Sequence, residues 1–364
     1  MRLPIMDLPA ARPAGFDSGP ASIAAVRVLR ISITDRCNFR CVYCMPQDGI
    51  QWLPKSDILS FEEIEEVARA AMDKHGIRRF KLTGGEPTVR AGLPDLIAML
   101  RELGDVELSL TTNGQRLAAL AADLRQAGLD RITVSLDSLQ PDKFRRITRT
   151  GDLRAVLAGL DAAQSAGFPV KINCVTMRRT NDDELVDFAR LTLSRKITVR
   201  FIEYMPLGES ALLEEEVMQP LGPAAGCDHQ LRGGDVLIPE PQVRAMIEQE
   251  LGPLVPVARH SEPGVGPASV YRLAVGRPAG RIGFISAMSA PFCATCNRLR
   301  LTPTGLLRSC LFDGGEVDLK PILRGYGGEE SRRDALADAM AECVRLKPKV
   351  HSHHGNQQMS RIGG

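Results

Sequence analysis

The amino-acid sequence predicts an α/β fold: an incomplete (β/α)6 barrel of the TIM type, followed by a C-terminal region with a cysteine cluster of its own. Short β-rich runs alternate with amphipathic helical patterns between residues 26 and 206, as in parallel sheets joined by right-handed crossovers. There are six such units, two fewer than a closed barrel contains. A third observation is that all six predicted strands share one polar face.

The individual elements follow from periodicity and capping signals. The predicted strands span residues 26–34, 78–83, 106–111, 131–137, 169–175 and 197–204. After the first strand, an amphipathic helix is expected to begin at Ser60, where Ser60 and Glu63 fit a capping box. A later helical pattern is expected to open on Asn181 as its capping residue.

The polar face of the strands is unusual, because parallel strands covered on both sides are normally apolar throughout. Helices must cover the apolar face, so the polar face is expected to line the barrel interior. It carries four cations, Arg30, Lys81, Lys171 and Arg200. A single cation could pair with a nearby carboxylate. Such pairing is a poor explanation for four charges of the same sign on one face. We therefore interpret the interior as a wet cavity for a polyanionic ligand.

Composition excludes several classes of function. The chain has 364 residues, with 46 basic and 44 acidic side chains and a net charge of +2, so it shows no signature of a nucleic-acid binder. No apolar run reaches the roughly 18 to 20 residues that a membrane span needs. Six of the nine cysteines fall in two tight clusters, which suits metal binding in a reducing cytosol better than a disulfide framework. A cytoplasmic protein is expected.

The chain divides into five predicted segments. A Pro/Gly/Ala-rich, flexible N-terminal extension (1–25) precedes the barrel (26–206), and an insertion rich in Gly and Pro (207–239) follows it. The C-terminal region with the second cysteine cluster spans residues 240–346, and a tail (347–364) ends in Gly-Gly. The HSHH tract in this tail is expected to be solvated.

A first cysteine triad, Cys37, Cys41 and Cys44, follows the first strand in a C-x₃-C-x₂-C pattern. Active sites of barrel enzymes lie at this carboxyl end of the strands. A zinc site takes four protein ligands, and His75 is distant, so a zinc knuckle would have to borrow a remote residue. We interpret the triad as three ligands of a [4Fe–4S] cluster whose fourth iron stays open for an exchangeable ligand.

With Tyr43 before its last cysteine, this motif resembles that of the radical S-adenosylmethionine (SAM) superfamily, in which SAM chelates the open iron. The TGGEP segment that ends the second strand resembles the segment with which that superfamily holds the methionine amino group. The resemblance implies SAM contacts for Tyr43, Gly85, Ser135 and Met205.

A second cysteine triad, Cys293, Cys296 and Cys310, forms a C-x₂-C-x₁₃-C pattern. A zinc ribbon would require a second cysteine pair, although a fourth ligand from Cys343, His351, His353 or His354 stays open. We favour a second, auxiliary [4Fe–4S] cluster with an open iron available to the substrate.

Two arginines follow the second triad at alternate positions. In an extended segment Arg298 and Arg300 point the same way, and guanidinium groups pair well with phosphate oxygens. They are therefore expected to complete the anion cavity that the barrel begins.

The two triads, the NRLR segment and the terminal Gly-Gly together resemble the GTP 3′,8-cyclase family (MoaA type), which acts first in molybdenum cofactor biosynthesis. The resemblance runs from about Leu29 to Gly364. It implies GTP contacts for Arg30, Lys81, Thr111, Lys171, Arg298 and Arg300. It also implies that the first triad holds the SAM-cleaving cluster, that the second triad holds the auxiliary cluster, and that Gly363 and Gly364 enter the active site.

This family resemblance implies a radical SAM lyase that converts GTP into (8S)-3′,8-cyclo-7,8-dihydroguanosine 5′-triphosphate. A 5′-deoxyadenosyl radical from SAM would abstract the C3′ hydrogen of GTP, and the auxiliary cluster would hold the guanine. The implied partners are GTP, an electron donor such as a flavodoxin or ferredoxin, and a second copy in a homodimer. Neither nucleic acid nor membrane is expected.

Two other interpretations stay open. The first is another radical SAM enzyme with an auxiliary cluster, such as a peptide maturase. The second is a non-catalytic zinc-binding interaction module. Peptide maturases usually carry a longer cysteine array, and the strand-end position of the cysteines disfavours the zinc module.

Overall fold

The computed structural model describes residues 19–46, 48–207, 236–258, 266–325, 327–352 and 362 of the chain. Most of the N-terminal extension and most of the 207–239 insertion lie outside these residues. The same holds for His353, His354, Gly363 and Gly364. No helix in the described residues is both long and apolar enough to cross a lipid bilayer.

In the described part of the chain, twelve strands form one sheet with the order β12-β11-β10-β1-β2-β3-β4-β5-β6-β9-β8-β7. The first six are β1 (Val28–Ser32), β2 (Arg79–Thr83), β3 (Glu107–Thr112), β4 (Arg131–Ser135), β5 (Val170–Thr176) and β6 (Ile197–Glu203). The others are β7 (Leu254–Pro256), β8 (Ser269–Leu273), β9 (Arg281–Ile285), β10 (Arg298–Leu301), β11 (Leu306–Arg308) and β12 (Glu316–Asp318). All six predicted barrel strands are present, with bounds within two residues of the structure, and they run parallel.

Helices cover the outer face of the sheet. Those between barrel strands are α1 (Phe61–His75), α2 (Leu93–Arg101), α3 (Leu117–Gln126), α4 (Pro141–Thr148), α5 (Leu153–Ser165) and α6 (Leu185–Ser194). The C-terminal region adds α7 (Glu240–Leu251), α8 (Lys320–Leu323) and α9 (Glu329–Arg345). Apolar strand residues such as Ile31, Phe80 and Leu108 are fully buried, as the predicted parity requires.

One predicted helix cap is confirmed and the other is wrong. The Ser60 hydroxyl accepts a hydrogen bond from Glu63 N–H, and the Glu63 carboxylate accepts one from Ser60 N–H, so both halves of the capping box form. Asn181 instead precedes a short 3-10 turn, and α6 begins only at Leu185. The Asn181 side-chain amide donates to the carbonyl oxygens of Asp137 and Val175, both at 2.8 Å, and so joins two strand ends.

The sheet is curled into an open barrel. In a flat sheet, β1 and β6 would lie about 24 Å apart, since neighbouring strands are spaced by about 4.8 Å. Nevertheless, Arg30 on β1 and Arg200 on β6 line one cavity. Burial is the main cause that lowers the pKa of Arg30, and the charge of Arg200 is close enough to contribute. The predicted incomplete barrel is therefore confirmed.

The C-terminal region extends the barrel sheet at both edges. β10 pairs with β1 in parallel, and β9 pairs with β6 in parallel. This pairing covers strand edges that would otherwise expose unpaired backbone groups. Its register places Arg300 opposite Arg30, so cations from both parts of the chain lie side by side.

A buried ion pair stabilises the outer strands of this extension. The side chain of Arg308 on β11 is fully buried and pairs with Glu316 on β12, which is 32% exposed. Removing one partner of a buried pair is strongly destabilising, because the other charge stays buried.

Replacement of Glu316 by Ala is expected to lower the free energy of unfolding by about 2 kcal/mol, because it removes a charge-assisted hydrogen bond from the buried Arg308. Urea unfolding of the metal-free chain measures the change. Asp187→Ala, which breaks an exposed pair with Arg190, is the matched control and should cost less than about 0.5 kcal/mol. Equal losses of unfolding free energy in the two variants would contradict the claim that burial of Arg308 makes its ion pair the more stabilising one.

Candidate active site

A cavity of about 370 Å³ occupies the barrel interior. Its wall combines the polar faces of β1 to β6 with loops of the C-terminal region. The predicted site residues on this wall are Arg30, Cys37, Cys41, Tyr43, Cys44, Lys81, Gly85, Thr111, Ser135, Lys171, Met205, Cys293, Cys296, Arg298, Arg300 and Cys310. Gly363 and Gly364 lie outside the described residues. Both cysteine triads therefore face one cavity, while the role of each residue there stays a prediction.

The first cysteine triad lies in the loop after β1. Cys44 N–H donates to the Cys41 carbonyl at 2.9 Å, and Phe39 N–H donates to the Cys37 sulfur at 3.4 Å. Burial raises the pKa of Cys37 to about 12, and the Glu86 carboxylate adds to the rise. Burial, followed by the neighbouring Cys44, also raises the pKa of Cys41 well above its usual value. Metal ligands must be deprotonated, so binding of a metal cluster here releases protons.

A buried carboxylate that motif patterns do not single out supports this loop. Asp137, just after β4, accepts hydrogen bonds from the Tyr43 hydroxyl at 2.7 Å and from Val175 N–H at 2.8 Å. Burial raises the pKa of Asp137 to about 6, although both hydrogen bonds oppose the rise. Asp137 thus fixes Tyr43, a predicted SAM contact, against the ends of β4 and β5. Its signal in the sequence is its place on the polar parity of the fourth strand.

The two glycines of TGGEP allow a close approach between chain segments. A Cβ on Gly84 would lie 2.6 Å from the Thr34 carbonyl oxygen, and one on Gly85 would lie 2.5 Å from that of Arg36. Gly85 N–H donates to the Thr34 carbonyl at 2.7 Å, and Glu86 N–H donates to the Arg36 carbonyl at 2.8 Å. The segment that leads into the first triad therefore requires glycine here, whatever ligand the cavity holds.

The second cysteine triad flanks β10 and β11. Cys293 and Cys296 precede β10, and Cys310 follows β11. Burial alone would raise the pKa of Cys296, but the positive charges of Arg298 and Lys347 outweigh it and bring the pKa to about 7. At neutral pH, a substantial fraction of the Cys296 side chains is therefore deprotonated. The deprotonated thiolate is the form that binds metals.

His351 contradicts the prediction that the HSHH tract is solvated. Its side chain is 7% exposed and stacks on the Phe312 ring, with centroids 4.1 Å apart. Its Nε2 lies 2.9 Å from the Ala287 carbonyl oxygen, and its backbone N–H bonds the Cys293 thiol. These partners are distant in sequence, so local composition carries no sign of the contact.

The thiols are not arranged around a single metal ion. Among the described residues, no three His, Cys, Asp or Glu side chains are grouped as one ion requires. A zinc ion draws its ligands to one centre, whereas the thiolates of an iron–sulfur cluster bind separate iron atoms and stand further apart.

The cavity wall carries a dense group of cations. Burial lowers the pKa of Lys81 well below its usual value, and the charges of Arg200 and Arg30 lower it further. Burial brings the pKa of Arg300 to about 9, with a contribution from Arg298. These side chains repel one another in a poorly hydrated space, so an anionic ligand would relieve the repulsion.

The carboxylates on the described wall are already engaged. Glu107 pairs with Arg131 at 3.1 Å, and Asp137 bonds Tyr43. Glu86 accepts hydrogen bonds from the Thr112 hydroxyl and from Asn113 N–H, both at 2.6 Å. These contacts fix the three carboxylates in place on the wall.

The wall includes buried polar atoms that have no hydrogen-bond partner in the described structure, and three of them lie on β3, β5 and β6. They are the Thr111 hydroxyl, the side-chain oxygen of Asn173 and the Nε of Arg200. Buried polar groups are nearly always hydrogen-bonded, so these three atoms indicate a polar ligand with both donors and acceptors.

Comparisons with known proteins match two families to the two parts of the chain. Residues 31–192 match the Radical SAM superfamily, and residues 197–353 match the family described as Molybdenum Cofactor Synthesis C. Membership of the first superfamily implies SAM and a [4Fe–4S] cluster, and the first cysteine triad has the thiolates to hold that cluster.

Curated relatives match almost the whole chain. The GTP 3′,8-cyclase of Pelotomaculum thermopropionicum is 44% identical over 93% of this chain and 98% of its own. The GTP 3′,8-cyclase of Geobacter sulfurreducens is 43% identical over 93% of this chain and 97% of its own.

A solved structure shares the fold. SuiB of Streptococcus suis, in its crystal structure with S-adenosylmethionine, superposes with a TM-score of 0.55. The match covers 87% of this chain and 68% of that chain at 12% identity, so it bears on the fold alone. From the extent and identity of the curated matches, the chain belongs to the GTP 3′,8-cyclase family of the radical SAM superfamily.

Proposed function

We propose that the protein is a GTP 3′,8-cyclase, a radical SAM lyase that converts GTP into (8S)-3′,8-cyclo-7,8-dihydroguanosine 5′-triphosphate. This is the first step of molybdenum cofactor biosynthesis. The observation that carries the proposal is that both cysteine triads line one cavity together with nine Arg and Lys side chains of the described residues. Family membership favours this activity over a peptide maturase or a non-catalytic zinc module.

The first triad serves radical generation in this proposal. Cys37, Cys41 and Cys44 would hold the cluster, while Tyr43, Gly85, Ser135 and Met205 would contact SAM. The chemistry that the cluster and SAM would supply there is the 5′-deoxyadenosyl radical for removal of the C3′ hydrogen of GTP. Asp137 keeps Tyr43 in place through their 2.7 Å hydrogen bond.

The cations hold the triphosphate and so orient the ribose. Arg30, Lys81 and Lys171 come from different barrel strands, and a polyanion that contacts all three is fixed in direction as well as position. Such positioning can supply a large part of a rate enhancement, because it removes the entropic cost of bringing the reacting atoms together. Thr111 adds a hydroxyl that has no partner in the described structure.

The second triad would hold an auxiliary [4Fe–4S] cluster, which would supply an open iron for binding of the guanine. The lowered pKa of Cys296 supports metal binding at this triad, because it favours the thiolate form. Arg298 and Arg300 extend the cation group to this end of the cavity. We further propose that Gly363 and Gly364 enter the site, that a flavodoxin or ferredoxin donates the electron, and that the protein forms a homodimer.

Anaerobic incubation of the reconstituted protein with SAM, GTP and dithionite is expected to yield 5′-deoxyadenosine and a cyclised GTP product. Mass spectrometry detects both. Cys41→Ser should abolish both products, because it removes a ligand of the radical-generating cluster. Cys174→Ala, on the apolar face of β5, should retain them. Formation of neither product by the wild-type protein would refute the proposed function.

The iron content distinguishes one cluster from two. About eight iron atoms per chain are expected in the wild-type protein, since each cubane holds four. Replacement of Cys293, Cys296 and Cys310 by Ala should leave about four. A wild-type protein with four iron atoms, or with zinc at the second triad, would contradict the auxiliary cluster.

Lys81→Met is expected to stabilise the ligand-free chain while weakening GTP binding. The variant removes a buried charge that its neighbours repel, so the free energy of unfolding should rise by about 1 kcal/mol. Urea unfolding and equilibrium dialysis with GTP measure the two effects. Lys74→Met, at an exposed ion pair with Asp334, should leave GTP binding unchanged. Unchanged GTP retention by Lys81→Met would contradict its assigned role.

A further inference from the structure

The chain leaves α4 through a strained residue. Arg149 has φ 60° and ψ −39°, a conformation with positive φ that residues other than glycine rarely adopt. Among the described residues, Arg179 is the one other non-glycine residue with positive φ. Such strain persists only where surrounding contacts hold it, and it concentrates at functional sites.

The Arg149 side chain bridges the two sides of the first triad's loop. Its Nη1 donates to the Arg40 carbonyl at 3.2 Å and to the Met45 carbonyl at 2.9 Å. Arg40 immediately precedes Cys41, and Met45 immediately follows Cys44. One guanidinium therefore closes the segment that carries two of the three cysteines.

The backbone around Arg149 also contacts this loop. Arg40 N–H donates to the Thr148 carbonyl at 3.0 Å, and Val42 N–H donates to the Ile147 carbonyl at 2.9 Å. The Thr150 hydroxyl donates to the Asn38 carbonyl at 2.8 Å. Residues 147, 148 and 150 thus form hydrogen bonds with residues 42, 40 and 38, which alternate along the cysteine loop.

The cysteine loop needs such support because it has little regular structure of its own. Between the end of β1 and the 3-10 turn at Lys55–Asp57, the described residues form no helix or strand. Without external contacts, the three thiols would not keep a fixed spacing before metal binds. Residues 147–150 make these contacts through their backbone and through the Arg149 and Thr150 side chains, so none of the contacts uses a thiol of the triad.

We propose that Arg149 is a positioning residue for the first cysteine triad, which it holds in a cluster-binding arrangement before the cluster is inserted. The Arg149 guanidinium joins the two ends of the segment 40–45, which carries Cys41 and Cys44. Residues 147, 148 and 150 bond the part of the loop from Asn38 to Val42, between Cys37 and Cys44. The proposal concerns assembly of the cluster and is independent of GTP chemistry. It rests on the first triad as a cluster site.

Alkylation of the metal-free chain tests this role, with the rate at each cysteine read by mass spectrometry. Arg149→Ala should speed alkylation of Cys37, Cys41 and Cys44 by about tenfold, because loss of two hydrogen bonds makes loop opening easier. Alkylation of the second triad in the same chains should not change. Arg146→Ala, at an exposed position on α4, is the matched control and should behave as wild type.

Arg149→Gly separates positioning from general stability. Glycine adopts positive φ without strain, so this variant should melt at or above the temperature of Arg149→Ala. It should nevertheless show the same faster alkylation and slower iron uptake at the first triad. Wild-type alkylation in both variants would overturn the proposal. So would faster alkylation of both triads alike, or rates that simply follow the melting temperature.

Discussion

The parallel pairing of β10 with β1 is the interaction on which the site depends. It makes the C-terminal region part of the barrel sheet and places Arg300 opposite Arg30. It also carries Cys293 and Cys296, which immediately precede β10, to the wall of the barrel cavity. Without this pairing, β1 would be an uncovered edge of the sheet. The second triad would then lack a fixed position relative to the first.

The cavity formed in this way is electrostatically unfavourable until it binds an anion. Arg30 and Lys81 are neighbours in register on β1 and β2, and Arg200 approaches them from β6 because the sheet is curled. A packed barrel would fill this space with aliphatic side chains. The chain instead keeps buried cations whose pKa values fall through burial and mutual repulsion, at a cost in stability that a polyanionic substrate would offset.

Local patterns explain which parts of this structure could be predicted. The period-2 parity of six short strands was enough to place Arg30, Lys81 and Lys171 on the interior face, because side chains alternate along every strand. Cysteine spacing likewise identified both triads. The capping box at Ser60 was predictable because its partners are three residues apart.

Contacts between distant segments could not be read in the same way. The pairing of β10 with β1 joins residues about 270 positions apart, and no periodicity reports it. The sequence around Asn181 predicts a helix cap. In the structure its side-chain amide instead donates hydrogen bonds to the backbone at the ends of β4 and β5. Arg149 and His351 carry no motif, and their importance follows only from partners that the fold brings near.

The central claim is that the two triads face each other across one nucleotide-binding cavity. Crosslinking tests it directly, in a metal-free chain that keeps only Cys44 and Cys296 and is treated with bis-maleimides of increasing span. Mass spectrometry should find a link between these two residues within one chain, and GTP should suppress its formation. Absence of that link at every span, or a link that forms equally well with GTP, would contradict the account.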